Sequence, residues 1–433
     1  MNVVVVGLAR SGIAACKLAL AQGARVTGLD LRPGLDPIPG VALELGPHRR
    51  ETLLAADLIV VSPGIPTSQP DLAAARDAGV PILGEIGFAA RSLTAPMVGI
   101  TGTNGKSTVT WFTGQLLRAA GMRTFVGGNL GDPLCNALLD PAPWDAVVVE
   151  VSSYQLENAG DFHPRAGVVL NLTPDHLARH GTLDAYGLAK LQLFRHMTGR
   201  DLAVLPTGDD RLARLAGVGP GTRAWLGGNP GVTRAGSRVE VRVPALGLVA
   251  DFDLAGFRVP GDHNRDNAAT AALLALAMGA PPKAIAQALP LLEPLAHRME
   301  IVLDADGIRW INDSKATNVD ATRVGLAGLG QPAVVLLGGE AKGAGFDVLA
   351  PLLRDQRAVI CFGGSGAAIA RELASVGVPS TTAPWLEDAV LLARSFARDG
   401  DAVLLSPGCA SFDQFTDFEH RGRVFRALVQ GSV

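Results

Sequence analysis

Hydrophobic and polar positions along the chain alternate between two textures. Val3 to Val6 is an unbroken apolar run of the buried-strand kind, and Gly7 opens a turn. Ser11 to Gln22 follows as an Ala-rich helical stretch that stops at Gly23. Arg25 to Leu29, ending at Asp30, and Asp57 to Val61, followed by Ser62-Pro63-Gly64, predict two more strands. Strands alternating with helices imply a parallel, Rossmann-like sheet, ending near Arg91–Pro96. A second series begins at Met97–Thr101, which runs into Gly-Thr-Asn-Gly-Lys and a long helix, with further strands at Asp145–Val149 and Gly167–Leu172. Between about Arg200 and Pro260 the pattern shortens, and Arg238-Val239-Glu240-Val241-Arg242-Val243 predicts antiparallel strands. Helix returns at Asn264–Gly279. A third series places strands at Ile308–Ile311, Val334–Leu337, Val359–Phe362 and Ala402–Leu405. The expected fold is α/β with three domains: a Rossmann-like domain over 1–92, a phosphate-loop ATPase domain with a parallel sheet and a small antiparallel part over 93–294, and a second Rossmann-like domain over 295–433.

Composition narrows the class. Hydrophobic residues make up 48% of the chain, too many for a disordered protein. Lys plus Arg number 38 against 41 Asp plus Glu, so the net charge of -3 carries no basic footprint for nucleic acid. The four cysteines are scattered, which suggests neither a disulfide framework nor a zinc cluster. The longest apolar stretch, Ala268 to Ala280, is too short to span a bilayer, and the N-terminus lacks the basic start of a signal peptide. The expectation is a cytoplasmic protein with no membrane partner.

The strongest local motif is Gly102-Thr103-Asn104-Gly105-Lys106-Ser107-Thr108, a Gly-rich turn between a strand and a helix. Backbone N–H groups and the helix dipole there favour phosphate oxygens, with Lys106 reaching the terminal phosphates and Ser107 or Thr108 facing Mg²⁺. Ile100 stands where the usual first glycine of such a loop belongs. Glu150 ends a buried strand downstream, where a metal-organising carboxylate is expected. Asp175-His176 reads either as a metal or phosphate group or as a helix cap with an exposed His. Lys190, in a helical stretch from Tyr186 to His196, reads by itself as a solvated lysine. Asn264 and Asn267 share a helix face, suited equally to a base contact or a cap. Polar clusters at Asp313–Asn318, Gly338–Gly343 and Ser406–Asp413 lie just past strands, where open α/β sheets carry their ligand loops.

In this order the loops resemble those of the Mur ligase family of bacterial cell-wall enzymes, over nearly the whole chain. The phosphate loop, the Glu150 stretch, Asp175-His176, the Lys190 helix, His263-Asn264 and His297-Arg298 carry the family resemblance. Ser62-Pro63-Gly64-Ile65, Gly128-Asn129-Leu130-Gly131, Ser152 through Glu157, Asp313 through Asn318, and Leu404 through Pro407 to Phe418 through Gly422 narrow it to one member. The resemblance implies an ATP-dependent amide ligase that adds D-glutamate to UDP-N-acetylmuramoyl-L-alanine through an acyl phosphate. It implies catalytic roles for Lys106, Glu150, His176 and Lys190, with Lys190 carbamylated by CO₂. Two Mg²⁺ ions would sit among Ser107, Glu150, His176 and Lys190. Asn264, Asn267, Arg298 and Asp313 would join the phosphate loop around ATP. Ser11, Asp30, Arg32, Ser62, Asn129, Ser152 and Gln155 would hold the UDP-linked substrate, and Lys315, Thr317, Lys342, Ser411 and Phe418 the amino acid. A monomer acting on small molecules is implied. Leu31, Ala178 and Gly345 depart from the family pattern, and the first removes a side-chain contact to uracil. The rival readings are a family ligase with another amino-acid acceptor, L-glutamate included, and a non-catalytic nucleotide-binding protein.

Overall fold

The computed structural model describes residues 1–217, 219–341, 343 and 345–431. The first sheet comprises β1 (Asn2–Val6), β2 (Arg25–Asp30), β3 (Val41–Leu45), β4 (Leu58–Val61) and β5 (Ile82–Gly84), all parallel, in the order β3-β2-β1-β4-β5. Val3 to Val6 are fully buried because helices cover both faces of β1, which is why the run is continuously apolar rather than alternating. The chain order reverses beside β1, so the loops after β1 and β4 part there and leave a crevice at their carboxyl ends.

The second sheet has β6 (Met97–Thr101), β7 (Thr124–Gly128), β8 (Ala146–Glu150), β9 (Ala166–Val169), β10 (Leu202–Pro206), β11 (Thr222–Leu226), β12 (Gly231–Ala235), β13 (Arg238–Val243) and β14 (Leu248–Asp253). Its order is β14-β13-β12-β11-β10-β9-β6-β8-β7. The predicted antiparallel part exists, but only β12-β13-β14 pair that way. β10, β11 and β12 extend the parallel sheet instead. β9 ends at Val169, three residues before the predicted Leu172, and the helix holding Lys190 runs Leu183–Leu191, short of the predicted His196.

The third sheet has β15 (Glu300–Ala305), β16 (Ile308–Asn312), β17 (Ala333–Gly338), β18 (Ala358–Phe362), β19 (Thr381–Ala383) and β20 (Ala402–Leu405), in the order β15-β16-β20-β17-β18-β19. It is parallel except for β15, which pairs antiparallel with β16. The chain divides into two compact units: Met1–Ala255 with Asn267–Leu291, and Gly256–Asp266 with Leu292–Val433. One core runs through the first unit, joining Val3, Ala15 and Ile86 of the first sheet's layers to Cys135, Val147 and Phe162 of the second. Among the described residues, no helix is long and apolar enough to cross a membrane.

Candidate active site

In the first unit, β6 delivers the chain to Gly102 and Gly105, which take φ of +147° and +85°, a region side chains other than glycine rarely adopt. Gly102 also packs against Leu170 Cβ and the backbone nitrogens of Leu170 and Asn171, so a Cβ there would be crowded at 3.0–3.3 Å. Asn171 holds the turn open: its Oδ1 accepts from the N–H of Thr103 at 3.1 Å and of Asn104 at 2.8 Å. Thr103 Oγ1 donates to Thr173 O at 3.1 Å. The helix Lys106–Ala119 then starts with Ser107 and Thr108 buried in its first turn. Its N-terminus has no acidic residue in the first turn, which suits an anion.

Two lysines converge on this turn. Lys106 Nζ donates to Gly102 O at 2.9 Å and to Thr103 O at 2.7 Å. Lys190, only 1% exposed, donates to the same Gly102 carbonyl at 2.8 Å and lies 4.2 Å from the centre of the Tyr186 ring. Burial first, and the Lys106 ammonium second, push Lys190 well below the ordinary lysine range, against the weaker pull of Asp175 and Glu150. Such burial disfavours the ammonium form. The solvated lysine of the isolated sequence is therefore overturned by tertiary packing.

Glu150, the last residue of β8, is buried, and its Oε1 accepts from Asn129 Nδ2 at 2.8 Å. His176 sits in the left-handed region at φ 53° and meets the Tyr154 hydroxyl through Nδ1 at 3.1 Å. His180 lies between the Tyr154 and Tyr186 rings. The chain has only two tyrosines, and both stand here, a signal that rarity in the sequence offered and motif reading missed. Ser152 and Gln155 form a capping box on the short helix Ser153–Leu156, so their side chains hold each other. Asn267 Oδ1 lies against Gly105.

At the carboxyl ends of β1, β2 and β4 a cavity of about 460 Å³ is lined by Gly7, Arg10, Ser11, Asp30, Leu31, His48, Ser62 and their neighbours. Asp30 and Arg32 form a two-pronged ion pair at 2.9 Å, and Asp30 also accepts from Leu8 N–H at 2.8 Å. The Arg32 guanidinium holds the Asp30 carboxyl far below the usual carboxylate range. Ser62 Oγ donates to Gly7 O at 2.7 Å. Leu31 is 65% exposed at the rim and offers no polar group. Arg10, within the glycine-bounded turn Gly7–Gly12, and His48 line the same cavity, though neither was among the expected site residues.

In the second unit, Asn264 Nδ2 donates to Pro260 O, turning that amide back on its own loop. Asp313 is fully buried; its carboxylate accepts from Ser406 Oγ at 2.9 Å and Met299 N at 3.3 Å. Burial pushes it up to about 6, opposed by the charge of Arg298. Lys315 Nζ lies 5.0 Å from the Phe418 ring, so the structure brings these two expected acceptor residues together. Thr317 is in the same turn, its N–H donating to Lys315 O, and Ser411 is buried in the loop after β20. Lys342 lies outside the described residues. Arg421 was missed as a site residue. It is 0% exposed and ties three loops together, donating to Ser314 Oγ and O, Cys409 O, Ala410 O and Gly338 O at 2.8–3.5 Å.

Comparisons with known proteins agree along the whole chain. Residues 1–84 match the Mur ligase MurD-like N-terminal domain, 100–275 the Mur ligase middle domain, and 297–409 the Mur ligase glutamate ligase domain. Proteins named UDP-N-acetylmuramoylalanine--D-glutamate ligase from Anaeromyxobacter dehalogenans and Myxococcus xanthus are 44% and 42% identical over 99% of this chain, and 97% and 98% of their own. The fold is shared with the UDP-N-acetylmuramate-alanine ligase of Thermotoga maritima, at 20% identity and TM-score 0.62 over 100% of both chains. It is shared too with MurF ligase of the same organism, solved in complex with ADP, at 15% identity and TM-score 0.61 over 100% of this chain and 95% of that one. The chain belongs to the Mur ligase family.

Proposed function

We propose that this chain joins D-glutamate to UDP-N-acetylmuramoyl-L-alanine at the expense of ATP, as a cytoplasmic step in making peptidoglycan precursor. The observation that carries the reading is the meeting of the Lys106 turn, buried Lys190 and the Asn129–Glu150 pair in one compact unit. The amino-acid specificity leans on the names of the relatives.

The chemistry then follows from charge. The substrate carboxylate attacks the γ-phosphorus of ATP, the bond to the β-bridging oxygen breaks, and ADP leaves. The amine of glutamate attacks the acyl carbon, loses a proton, and phosphate departs. Lys106 and the N–H groups at the start of its helix bind the phosphoryl oxygens on which charge builds. Arg298 and Asp313 serve the nucleotide, and Lys315, Thr317, Ser411 and Phe418 the incoming amino acid, with Lys342 completing that set. Ser11, Ser62 and the Asp30–Arg32 pair frame the cavity for the UDP moiety.

The donors fit Mg²⁺. Among the described residues no group of three or more His, Cys, Asp or Glu forms a closed metal cage. Magnesium favours one or two carboxylates plus substrate phosphates, and Glu150 with Ser107 and His176 offers such an open set. Bound there, the ions would neutralise phosphate charge. Lys190 fits a carbamate because its burial favours the neutral amine, the form that adds CO₂, and the resulting anion would suit a cation beside it.

The test is ATP-dependent phosphate release with UDP-N-acetylmuramoyl-L-alanine, comparing D-glutamate, L-glutamate and other amino acids. Release with D-glutamate alone is expected. Release with a different amino acid keeps the ligase and overturns the acceptor; binding of ATP without release overturns the ligase.

A further inference from the structure

The loop after β7 carries Asn129, which grips Glu150 twice: Nδ2 on Oε1 at 2.8 Å and N–H on the Glu150 carbonyl at 2.9 Å. The loop closes on itself through Gly128 N–H to Asp132 O at 2.7 Å and ends at the short turn Leu134–Leu138. Two side chains reach it from the layers of the first sheet. Arg10, which also lines the cavity at the ends of β1 and β4, donates Nη2 to Gly131 O at 2.8 Å. Glu85 opens the helix Glu85–Ala90 and accepts the Cys135 N–H on Oε1 at 2.6 Å, with Leu134 N–H beside it.

Glu85 is the unusual one. It is 1% exposed, and its Oε2 is buried with no hydrogen-bond partner. A buried carboxyl with one idle oxygen is costly, and such exceptions need a cause. The backbone around it is fixed: Gly84 N–H donates to Asn158 O at 2.7 Å, and a Cβ on Gly87 would meet the Ala159 backbone at 2.8 Å. The carboxyl therefore sits at a fixed place, aimed at the start of the Leu134–Leu138 turn.

We propose that Glu85 is a positioning residue. It anchors the far end of the Gly128–Pro133 loop while Arg10 holds its middle, so that Asn129 stays on Glu150 and the UDP-side cavity is tied to the metal-side carboxylate. The proposal rests on the roles given above to Asn129 and Glu150. Glu85 touches no reacting atom.

Initial rates of ADP release, with each substrate varied, test it on the wild-type chain, Glu85→Ala, Glu85→Gln and Arg10→Ala. Losing one buried hydrogen bond predicts that Glu85→Ala raises KM for the UDP-linked substrate about tenfold while KM for ATP moves less than about twofold. Glu85→Gln keeps an acceptor oxygen and returns that KM to within about threefold of wild type. Arg10→Ala raises the same KM about threefold, and the pair of changes combines to less than the product because both hold one loop. Should Glu85→Ala fail to fold, Glu85→Asp, which draws the carboxylate back by one methylene from the Cys135 N–H, carries the test with the same selective rise in KM for the UDP-linked substrate. Unchanged KM values, an equal rise for both substrates, or a Gln variant as poor as the Ala variant overturns the proposal. A wild-type chain inactive with every amino acid overturns the function instead, before any variant is measured.

Discussion

Two cations are buried to the same depth in this chain, and their surroundings set them apart. Lys190 in the first unit is 1% exposed and Arg421 in the second is 0% exposed. Arg421 spends its N–H groups on the carbonyls of Ser314, Gly338, Cys409 and Ala410 and on the Ser314 hydroxyl. Burial lowers it only to about 10, so it stays charged. Lys190 has the Gly102 carbonyl, which it shares with the Lys106 ammonium, and burial drives it well down. Guanidinium is planar and many-handed and can be satisfied by backbone; an ammonium in a poorly solvated place gives up its proton. One burial makes a brace; the other disfavours the ammonium it encloses.

The largest expected effect breaks that pairing. Lys190→Met should leave turnover at background while leaving stability unchanged or raised, because it removes a desolvated amine and keeps most of the volume. Partial rescue by a short carboxylic acid, and none by the neutral amide, is expected if a carbamate is the working group. Arg421→Met should do the reverse in urea unfolding. It strands the carbonyls of Ser314 and Cys409 and should cost about 2–4 kcal/mol. Equal stability losses in the two variants would erase the contrast.

Asp313 sharpens the comparison from the acidic side, since it lies in Arg421's unit but behaves like Lys190. Burial raises its carboxyl from 3.8 to about 6. The folded state then holds more protons than the unfolded state between those values, so stability falls as pH rises through that window and levels off above it. The contribution is at most about 3 kcal/mol. Asp313→Asn should flatten that part of the curve of melting temperature against pH. Glu85, raised to about 7 by burial, adds a drop of the same sign that this variant leaves in place. An unchanged slope between pH 4 and 6 would show that Asp313 is charged throughout.

What the sequence discloses and what it hides divides along the same line. The phosphate loop is legible because its chemistry is local: Gly102 and Gly105 supply positive φ, and strand, turn and helix follow within a dozen or so residues. The buried strands Val3–Val6 and Ala146–Glu150 are legible because runs of valine have one explanation. The partner direction of β10 to β12 is not, because alternation reports which face is buried and not whether the neighbour runs parallel. Buried charges are the least legible. Lys190, Glu85 and Arg421 all lie in helices, where a lone charged residue reads as solvated, and only packing against other layers reverses that. For Lys190 the family resemblance supplied the role that spacing alone did not.

The smallest expected effect lies at the ring beside Lys190. Tyr186 is buried, its hydroxyl hydrogen-bonds with the Thr103 side chain, and burial pushes it up to about 12, so it stays protonated at neutral pH. The ring face lies 4.2 Å from Lys190 Nζ, whereas the hydroxyl reaches the phosphate turn. Tyr186→Phe keeps the face and drops the hydroxyl. It should lower kcat/KM for ATP by about fivefold, one hydrogen bond's worth, and leave the pH dependence set by Lys190 where it was. Tyr186→Leu removes the face as well and withdraws a weak stabiliser of the ammonium, which biases Lys190 further toward the neutral amine. If the neutral form is the productive one, the Leu variant should shift the acidic limb of the pH–rate profile downward relative to the Phe variant. A shift upward would mean that the ring acts on Lys190 mainly by excluding water, its desolvation of the amine outweighing its pull on the ammonium.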